Sequence, residues 1–389
     1  MWTGKIMPEM TNWKEILGVV NKTCVIDITD PGKDLDDEQK FLLAAGLIRA
    51  GILDLACVIA NLDPPLARAK LAKGTFNCLG FPQMRVGIGT DCFKGGLNLK
   101  HETDVDYAQA VQKKDLFSGQ DLLQLELAAA NDKSITLSLN SGLTDAALLC
   151  MTQPDLVRAK IKEVVIMGGV KSIVGEFHAA GRPDEYVPLT YKGPDGVNYM
   201  LPDDAANNSF DWPSAMYLYQ WLQENKVPMV VFMRWAPYAC QFPFSTYDLF
   251  AATGNPVGMN LLERQKPSIN QLWAAALAPA GSSIRGKLPM SRDRKWFVNV
   301  FCKGKDPGIG ENDEVWPYVG DYNQYDAMSL AACVPEIRAK YFDPVIVEVK
   351  GVQHQIIGIS EKQTGITDGD GLRRLITDLE VNALKAGVK

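Results

Sequence analysis

The segment VIDITDPGKDLDDEQ, residues 25–39, joins an apolar run to a dense group of acids. CVIDIT predicts a short buried strand, and DDEQKFLLAAGLIRAG has helical apolar spacing, with acids in its first turn and Gly51 at its end. The acidic residues of the segment are Asp27, Asp30, Asp34, Asp36, Asp37 and Glu38. A strand that leads through this turn into a helix predicts a βα unit.

The same alternation recurs along the chain. LDLACVIAN, MRVGIGT, SITLSLN, EVVIMGG and VPMVVFM each predict a short strand followed by a turn or a helix. We therefore expect an α/β fold with a mostly parallel open sheet and flanking helices. Polar or glycine-rich residues follow four of these strands, and the ligand crevice of such a sheet lies at the carboxyl ends of the strands.

The composition narrows the classes of ligand and partner that the protein is expected to bind. The net charge of −6 and the pI near 5.3 argue against nucleic-acid and anionic-membrane partners, because no basic excess exists to displace counterions. A small neutral or cationic ligand is favoured. The eight cysteines are scattered without CxxC pairs, and no run of about 20 apolar residues occurs. These features predict one large domain in a cytoplasmic protein.

On charge alone, the acidic turn has two interpretations. Crowded carboxylates repel one another unless a cation neutralises them or some are protonated, and hard oxygen ligands suit calcium or magnesium. Alternatively, Asp36, Asp37 and Glu38 only complement the helix dipole in solvent. An EF-hand does not fit, since no helix leads into the loop, and a phosphate loop would not carry so many acids.

A family resemblance favours the metal site. TDPGKDLDD resembles the aspartate motif D-x-D-P-G-x-D-D of the nucleoside hydrolase superfamily, with two extra residues before the final pair. Further similar segments follow in the family's order between about residues 23 and 333: ANLD, VGIGTD, SGLTDAALL, VVIMGGV, NNSFDWPSA and YDAMSLAA. An alignment without the gap would place Asp34 where Asp36 is placed here and Leu35 at the position of an essential acid, so we prefer the gapped one.

The resemblance implies a role for each matching residue. It implies calcium ligation by Asp30, Asp37, the Thr144 carbonyl and Asp326. It implies that Asp36 and Asn61 bind the ribose diol and that Met167 and Asn207 contact the ribose. Asp30 would also be the general base toward water. Simpler interpretations exist: Asn61 could cap the following helix, and Met167 could fill the core.

The chain departs from the family at two positions. Tyr325 stands where relatives often carry a histidine that assists the departing base, and Ala205 stands where they carry a glutamate. Recognition of the 5′ end of the sugar therefore differs. We rank a base that leaves unaided, held against aromatics such as Trp273 or Trp296, above protonation by Tyr325, and place His178 third.

Residues 1–22 form a predicted N-terminal extension to a hydrolase-like domain at 23–389. Residues 171–206 form a long excursion, expected near the pocket, from which Asn198, Glu176 or His178 could reach the substrate. Residues 236–317 are expected to be a helical, aromatic subregion over the site. The predicted activity is calcium-dependent hydrolysis of a small-molecule riboside by a homodimer or homotetramer. The alternative is a non-hydrolytic sugar- or nucleoside-binding relative that keeps the metal site.

Overall fold

The computed structural model describes residues 11–32, 34–92, 103–174, 186–286, 288 and 290–388. The strands are β1 Thr23–Thr29, β2 Leu53–Ala60, β3 Val86–Ile88, β4 Phe117–Ser118, β5 Ile135–Asn140, β6 Ile161–Met167, β7 Ser172–Val174, β8 Tyr186–Pro188, β9 Thr190–Lys192, β10 Asn198–Met200, β11 Met229–Phe232, β12 Phe242–Pro243, β13 Asp321–Tyr322, β14 Val345–Val349 and β15 Val352–Ile357.

The helices, numbered along the described chain, are α1 Trp13–Leu17, α2 Asp36–Arg49, α3 Pro65–Cys78, α4 Asp106–Gln109, α5 Gly119–Ala129, α6 Thr144–Thr152, α7 Pro154–Lys160, α8 Ala206–Phe210, α9 Trp212–Glu224, α10 Trp235–Ala239, α11 Ser245–Ala251, α12 Pro256–Leu277, α13 Arg294–Phe301, α14 Tyr325–Cys333, α15 Pro335–Tyr341 and α16 Gly369–Ala386. Short 3₁₀ turns lie at Lys113–Asp115 and Trp316–Tyr318.

Nine strands form one sheet in the order β14-β15-β11-β6-β5-β1-β2-β3-β4. Every neighbouring pair is parallel except β14 with β15 at one edge. Helices cover both faces, so the predicted fold class, a mostly parallel α/β sheet, is confirmed. The antiparallel β14–β15 edge was not foreseen from the sequence.

Strand β1 shows why the sheet is buried on both sides. Val25 packs into the apolar cluster on one face, whereas Ile26 and Ile28 pack into the cluster on the other. Successive side chains of a strand point to opposite faces, so an apolar run needs helices on both. On the first face, α2 lies so close to α16 that a Cβ on Gly46 would be 2.5 Å from the carbonyl oxygen of Leu379.

The register places the functional turns side by side. Thr29, the last residue of β1, pairs with Ala60 of β2 and with Asn140 of β5. Strands β2, β3 and β4 lie on one side of β1, and β5, β6 and β11 lie on the other. The strand order therefore reverses between β1 and β5, which makes this position a topological switch point. Ligands of open α/β sheets bind in the crevice at such a point.

The region predicted to be helical and aromatic contains α10 to α13. In the segment predicted as an N-terminal extension, α1 buries Trp13 against the main core. Among the described residues, no helix has the length and apolar character needed to cross a lipid bilayer.

Candidate active site

The acidic turn lies between β1 and α2. Asp34 is exposed, Asp36 is partly buried and Asp37 is buried, and one carboxylate oxygen from each lies within 4.8 Å of the others. Asp36 and Asp37 occupy the first turn of α2, where carboxylates are stabilised by the helix dipole. The turn thus brings three oxygen ligands together at the switch point.

Helix α14 brings a fourth carboxylate to this turn from almost three hundred residues away. Asp326 is buried in the first turn of α14. Burial raises the pKa of Asp326 well above its ordinary value, and repulsion by Asp37, Asp34 and Asp30 adds to this, while Lys40 opposes it. Helix α14 packs against α2, which places the first turn of α14 beside the acidic turn.

The pKa of Asp36 is also raised well above its ordinary value. Burial is the largest cause, followed by repulsion from Asp326 and Asp34, a hydrogen bond with Asp34, and repulsion from Asp37. Two carboxyl groups form a hydrogen bond only when they share a proton. Carboxylates crowded in this way favour protonation or the binding of a cation.

Asp37 is held by donors from three directions. Its Oδ1 accepts a hydrogen bond from the Thr29 hydroxyl and one of 3.3 Å from the Asp30 amide. The Lys40 ammonium lies 3.5 Å from the same oxygen. These contacts fix the carboxylate of Asp37 before any ligand binds.

Two buried cations near the turn were missed by the sequence analysis. Lys40 lies in the apolar run QKFLLAAG, three residues after Asp37, and a lysine at that spacing faces the same side of the helix. Arg68 of α3 is fully buried and donates to the carbonyl oxygens of Asp30 at 2.9 Å and Pro31 at 3.0 Å. No short motif announces Arg68, because its partners are backbone atoms of a distant turn.

Asn61 lies beside the acidic turn but is engaged within the protein. It is fully buried, and its Nδ2 donates to the Gly142 carbonyl and to Asp145 Oδ2, both at 2.9 Å. Its Oδ1 accepts a hydrogen bond from the Ser141 hydroxyl. Binding of the ribose diol by Asn61, which stays a prediction, would require one of these hydrogen bonds to be exchanged.

Thr144 begins α6 in the neighbouring turn. Its hydroxyl donates to Asp211 Oδ2 at 2.5 Å, which ties α6 to the start of α9. Calcium ligation by the Thr144 carbonyl stays a prediction.

Met167 and Asn207 lie next to each other in the structure. Met167 ends β6, and its carbonyl accepts a hydrogen bond of 2.9 Å from Asn207 Nδ2. This contact joins α8 to the carboxyl edge of the sheet. The ribose contacts of both residues stay predictions.

The structure places Asn198 far from the carboxyl edge. It is exposed on the β9–β10 hairpin, where Tyr199 lies beside Lys350 and Asp195 forms an ion pair of 2.9 Å with Lys350. Lys350 belongs to the turn that starts β15, at the amino end of the parallel strands. This placement argues against a substrate contact from Asn198. Glu176 and His178 lie outside the described residues.

An aromatic group adjoins the acids. The Tyr325 ring lies 6.2 Å from that of Tyr238, which lies 5.6 Å from Trp235. Burial, then the neighbouring Tyr238 hydroxyl, raise the pKa of Tyr325 well above its ordinary value, while Arg292 opposes the shift. A raised pKa makes Tyr325 an even weaker acid at neutral pH.

The two tryptophans considered for base stacking differ in access. Trp273 is fully buried, donates from Nε1 to the Gly310 carbonyl at 2.8 Å and packs on Phe297, so it is a core residue. Trp296 is only partly buried, and the Arg292 guanidinium lies 5.4 Å from its ring centre. Stacking by Trp273 is therefore excluded by burial.

The residues of the acidic turn fit a hard divalent cation. Three carboxylate oxygens, one each from Asp34, Asp36 and Asp37, converge in the turn. Burial and the neighbouring carboxylates raise the pKa values of Asp36 and Asp326. Calcium and magnesium prefer such oxygen ligands. Asp34 and Asp36 belong to this converging set, although the resemblance implied neither of them as a metal ligand.

Several solved protein structures resemble this chain in fold. The type III effector XopQ, crystallised with adenosine diphosphate ribose, is 26% identical over 97% of this chain and 100% of its own, with a TM-score of 0.76. The effector XOO4466 is 25% identical over 98% and 100%, with a TM-score of 0.75. A purine-preferring ribonucleoside hydrolase from Gardnerella vaginalis is 13% identical over 93% and 99%, with a TM-score of 0.55.

The similarity to the two effectors and the similarity to the ribonucleoside hydrolase differ in kind. The similarity to the ribonucleoside hydrolase is one of fold alone, whereas that to the two effectors extends to a quarter of the residues. No protein-family model and no curated protein sequence matches the chain. The chain therefore has a nucleoside hydrolase-like fold.

Proposed function

We propose that the protein is a calcium-dependent hydrolase of the N-glycosidic bond in a ribonucleoside or related riboside. The observation that carries the proposal is the packing of α14, whose first turn contains Asp326, against α2, whose first turn contains Asp36 and Asp37. Carboxylates from distant parts of the chain thus form one acidic pocket. A structural N-cap would not need the fourth carboxylate. The pocket also lies at the switch point of the sheet, where ligands of this architecture bind.

The proposed metal ligands are Asp30, Asp37, Asp326 and the Thr144 carbonyl, and Asp34 and Asp36 also lie within reach. When bound, calcium would supply the positive charge that lowers the pKa of an attacking water. Asp30 accepts the proton of that water as general base. Arg68 holds the backbone of Asp30 through its carbonyl oxygen, which fixes the position of the base.

The remaining carboxylates act on the sugar. Asp36, at the start of α2, accepts hydrogen bonds from the ribose hydroxyls. Breaking the N-glycosidic bond develops positive charge on the ribose ring, and the surrounding carboxylates stabilise that charge. Because the pKa of Tyr325 is raised, a base that is electron-poor or already cationic is the favoured leaving group.

The test is release of free ribose from a panel of purine, pyrimidine and modified ribosides, with calcium and with EDTA. We expect Asp30→Asn to lower turnover by on the order of a hundredfold or more, which is typical for loss of a general base. Riboside binding should change less, and 2′-deoxyribosides should be poor substrates because they lack a hydroxyl that Asp36 binds.

Asp54→Asn is a matched control, since it removes an exposed carboxylate from the amino half of β2. It should leave turnover unchanged. Near-normal turnover in Asp30→Asn would show that Asp30 is not the base. Absence of calcium from the pure protein, even after calcium addition, would contradict the metal site.

A second candidate function is binding of a ribose diphosphate ligand without hydrolysis. It is favoured by the effector XopQ, whose structure contains adenosine diphosphate ribose and whose similarity to this chain exceeds that of the ribonucleoside hydrolase. Calorimetry with adenosine diphosphate ribose, followed by analysis of the ligand after incubation, separates the two candidates. Tight binding with intact ligand and an inert riboside panel would favour this second function.

A further inference from the structure

Lys40 is a buried cation inside the acidic pocket. Its ammonium lies 3.1 Å from Asp27 Oδ2 and 3.5 Å from Asp37 Oδ1, and it also donates to the Thr29 hydroxyl oxygen. Its side chain is 1% exposed. A charge so far from solvent persists only when opposite charges compensate it.

Asp27 connects this lysine to two other elements. Asn140 of β5 donates from Nδ2 to Asp27 Oδ1 at 3.1 Å. The Ser329 hydroxyl lies within hydrogen-bonding distance of Asn140 Oδ1 and of the Asp326 carbonyl oxygen. A continuous polar network therefore runs from Lys40 on α2, through the sheet, to the helix that carries Asp326.

The charge of Lys40 acts on the whole cluster. The Lys40 ammonium lies within 3.5 Å of a carboxylate oxygen of both Asp27 and Asp37, and both carboxylates are buried. The lysine is therefore charged, and its ammonium lies against the carboxylate that is proposed to ligate calcium. Two cations near one carboxylate repel each other, most strongly where water is excluded.

We propose that Lys40 is a positioning residue and built-in counter-cation, which holds Asp37 in place, keeps the acidic pocket folded without a metal, and weakens calcium binding by repulsion. The calcium part rests on the proposed function. Asp27, which is not among the proposed metal ligands, is the residue that anchors the ammonium. The Lys40 ammonium would thus be a fixed cation next to the exchangeable calcium ion.

The experiment measures thermal unfolding in EDTA and calcium affinity by calorimetry for the wild type, Lys40→Met and the double variant Lys40→Met/Asp27→Asn. Lys40→Met should lower the unfolding midpoint in EDTA, because it removes the ammonium that lies against the buried carboxylates of Asp27 and Asp37. It should also tighten calcium binding by about tenfold or more, because a repelling charge is gone. Lys192→Met, which removes an exposed lysine charge on β9, should change neither quantity.

The double variant removes one positive and one negative charge together. It should recover much of the lost stability and return the calcium affinity to near the wild-type value. A lysine that only holds Asp37 in place predicts weaker calcium binding in both variants. Unchanged or weaker binding in Lys40→Met, or an unchanged midpoint in EDTA, would overturn the proposal.

Folding failure is also informative. If Lys40→Met folds only with calcium, the counter-cation role is supported. If it folds in neither condition, recovery of folding by the double variant supports the proposal, and no recovery overturns it. If the wild type binds no calcium, the proposed function fails by itself, and the comparison of midpoints in EDTA still decides whether Lys40 is the counter-cation.

Discussion

The turns that follow β1 and β5 lie side by side at the same edge of the sheet, yet the carboxylates in these two turns have opposite kinds of neighbours. Asp145, after β5, is fully buried and accepts hydrogen bonds from the Thr90 amide and hydroxyl, from Asn61 and from Gln120. Asp36, after β1, and Asp326, which α14 brings to the same turn, have raised pKa values because of burial and of repulsion by neighbouring carboxylates.

The difference separates a structural carboxylate from ligand-binding ones. A carboxylate whose oxygens are saturated by fixed neutral donors has nothing left to offer a ligand and stabilises the fold instead. Mutual repulsion between crowded carboxylates lowers the free energy of unfolding of the protein. Proteins keep such destabilising groups where function uses them. Burial alone therefore does not identify the site; the nature of the neighbours does.

The largest expected effect tests the structural side of this comparison. Asp145→Ala removes a buried carboxylate that accepts hydrogen bonds from Thr90, Asn61 and Gln120, so we expect a loss of about 3 kcal/mol or more in the free energy of unfolding. Urea unfolding measures it. Asp132→Ala removes an exposed carboxylate and should leave the midpoint unchanged. A loss no larger than in this control would contradict the structural role of Asp145.

An intermediate effect concerns another buried carboxylate, that of Glu380. Glu380 on α16 is fully buried, receives a hydrogen bond of 3.3 Å from Gln324, and has a pKa raised well above its ordinary value, mainly by burial. Because the folded pKa exceeds the unfolded one, the stabilising contribution of Glu380 is complete below pH 4.5 and is lost as pH rises toward the folded pKa.

Glu380→Gln mimics the protonated acid and should abolish this loss. Its stability advantage over the wild type should be near zero at acidic pH and grow with pH by at most about 1.4 kcal/mol per unit. Urea unfolding across a pH series gives the result. A constant difference between the two proteins at all pH values would show that Glu380 does not titrate on unfolding.

The smallest effect has the opposite sign to that of Asp145→Ala. Asp36→Asn removes one of the repelling carboxylates, so the cation-free protein should gain on the order of 1 kcal/mol at neutral pH. The same variant should lose riboside binding. Thermal unfolding in EDTA and calorimetry measure the two quantities. If Asp36→Asn destabilised the protein in EDTA, Asp36 would be a structural carboxylate like Asp145, and the proposed difference between the two turns would be wrong.

Much of the architecture could be predicted from local pattern. The apolar runs of β1, β2, β5 and β6 each end in a polar or glycine-rich turn, and a fold with these turns at one edge follows from the geometry of parallel strands. The β14–β15 edge was missed because its antiparallel pairing depends on what lies beside β11. The converging oxygens of Asp34, Asp36 and Asp37 come from one short segment and were visible as a group.

By itself, the sequence determined the alternation of strands and helices and the concentration of acids after β1, because both are set by residues close together in the chain. Only the tertiary structure decided how those acids are balanced. It brought Asp326 into the cluster, placed Lys40 between Asp27 and Asp37, and engaged Asn61 with Asp145. The physical reason is that charge compensation and hydrogen-bond saturation depend on distances of a few ångströms between residues that are far apart in the chain.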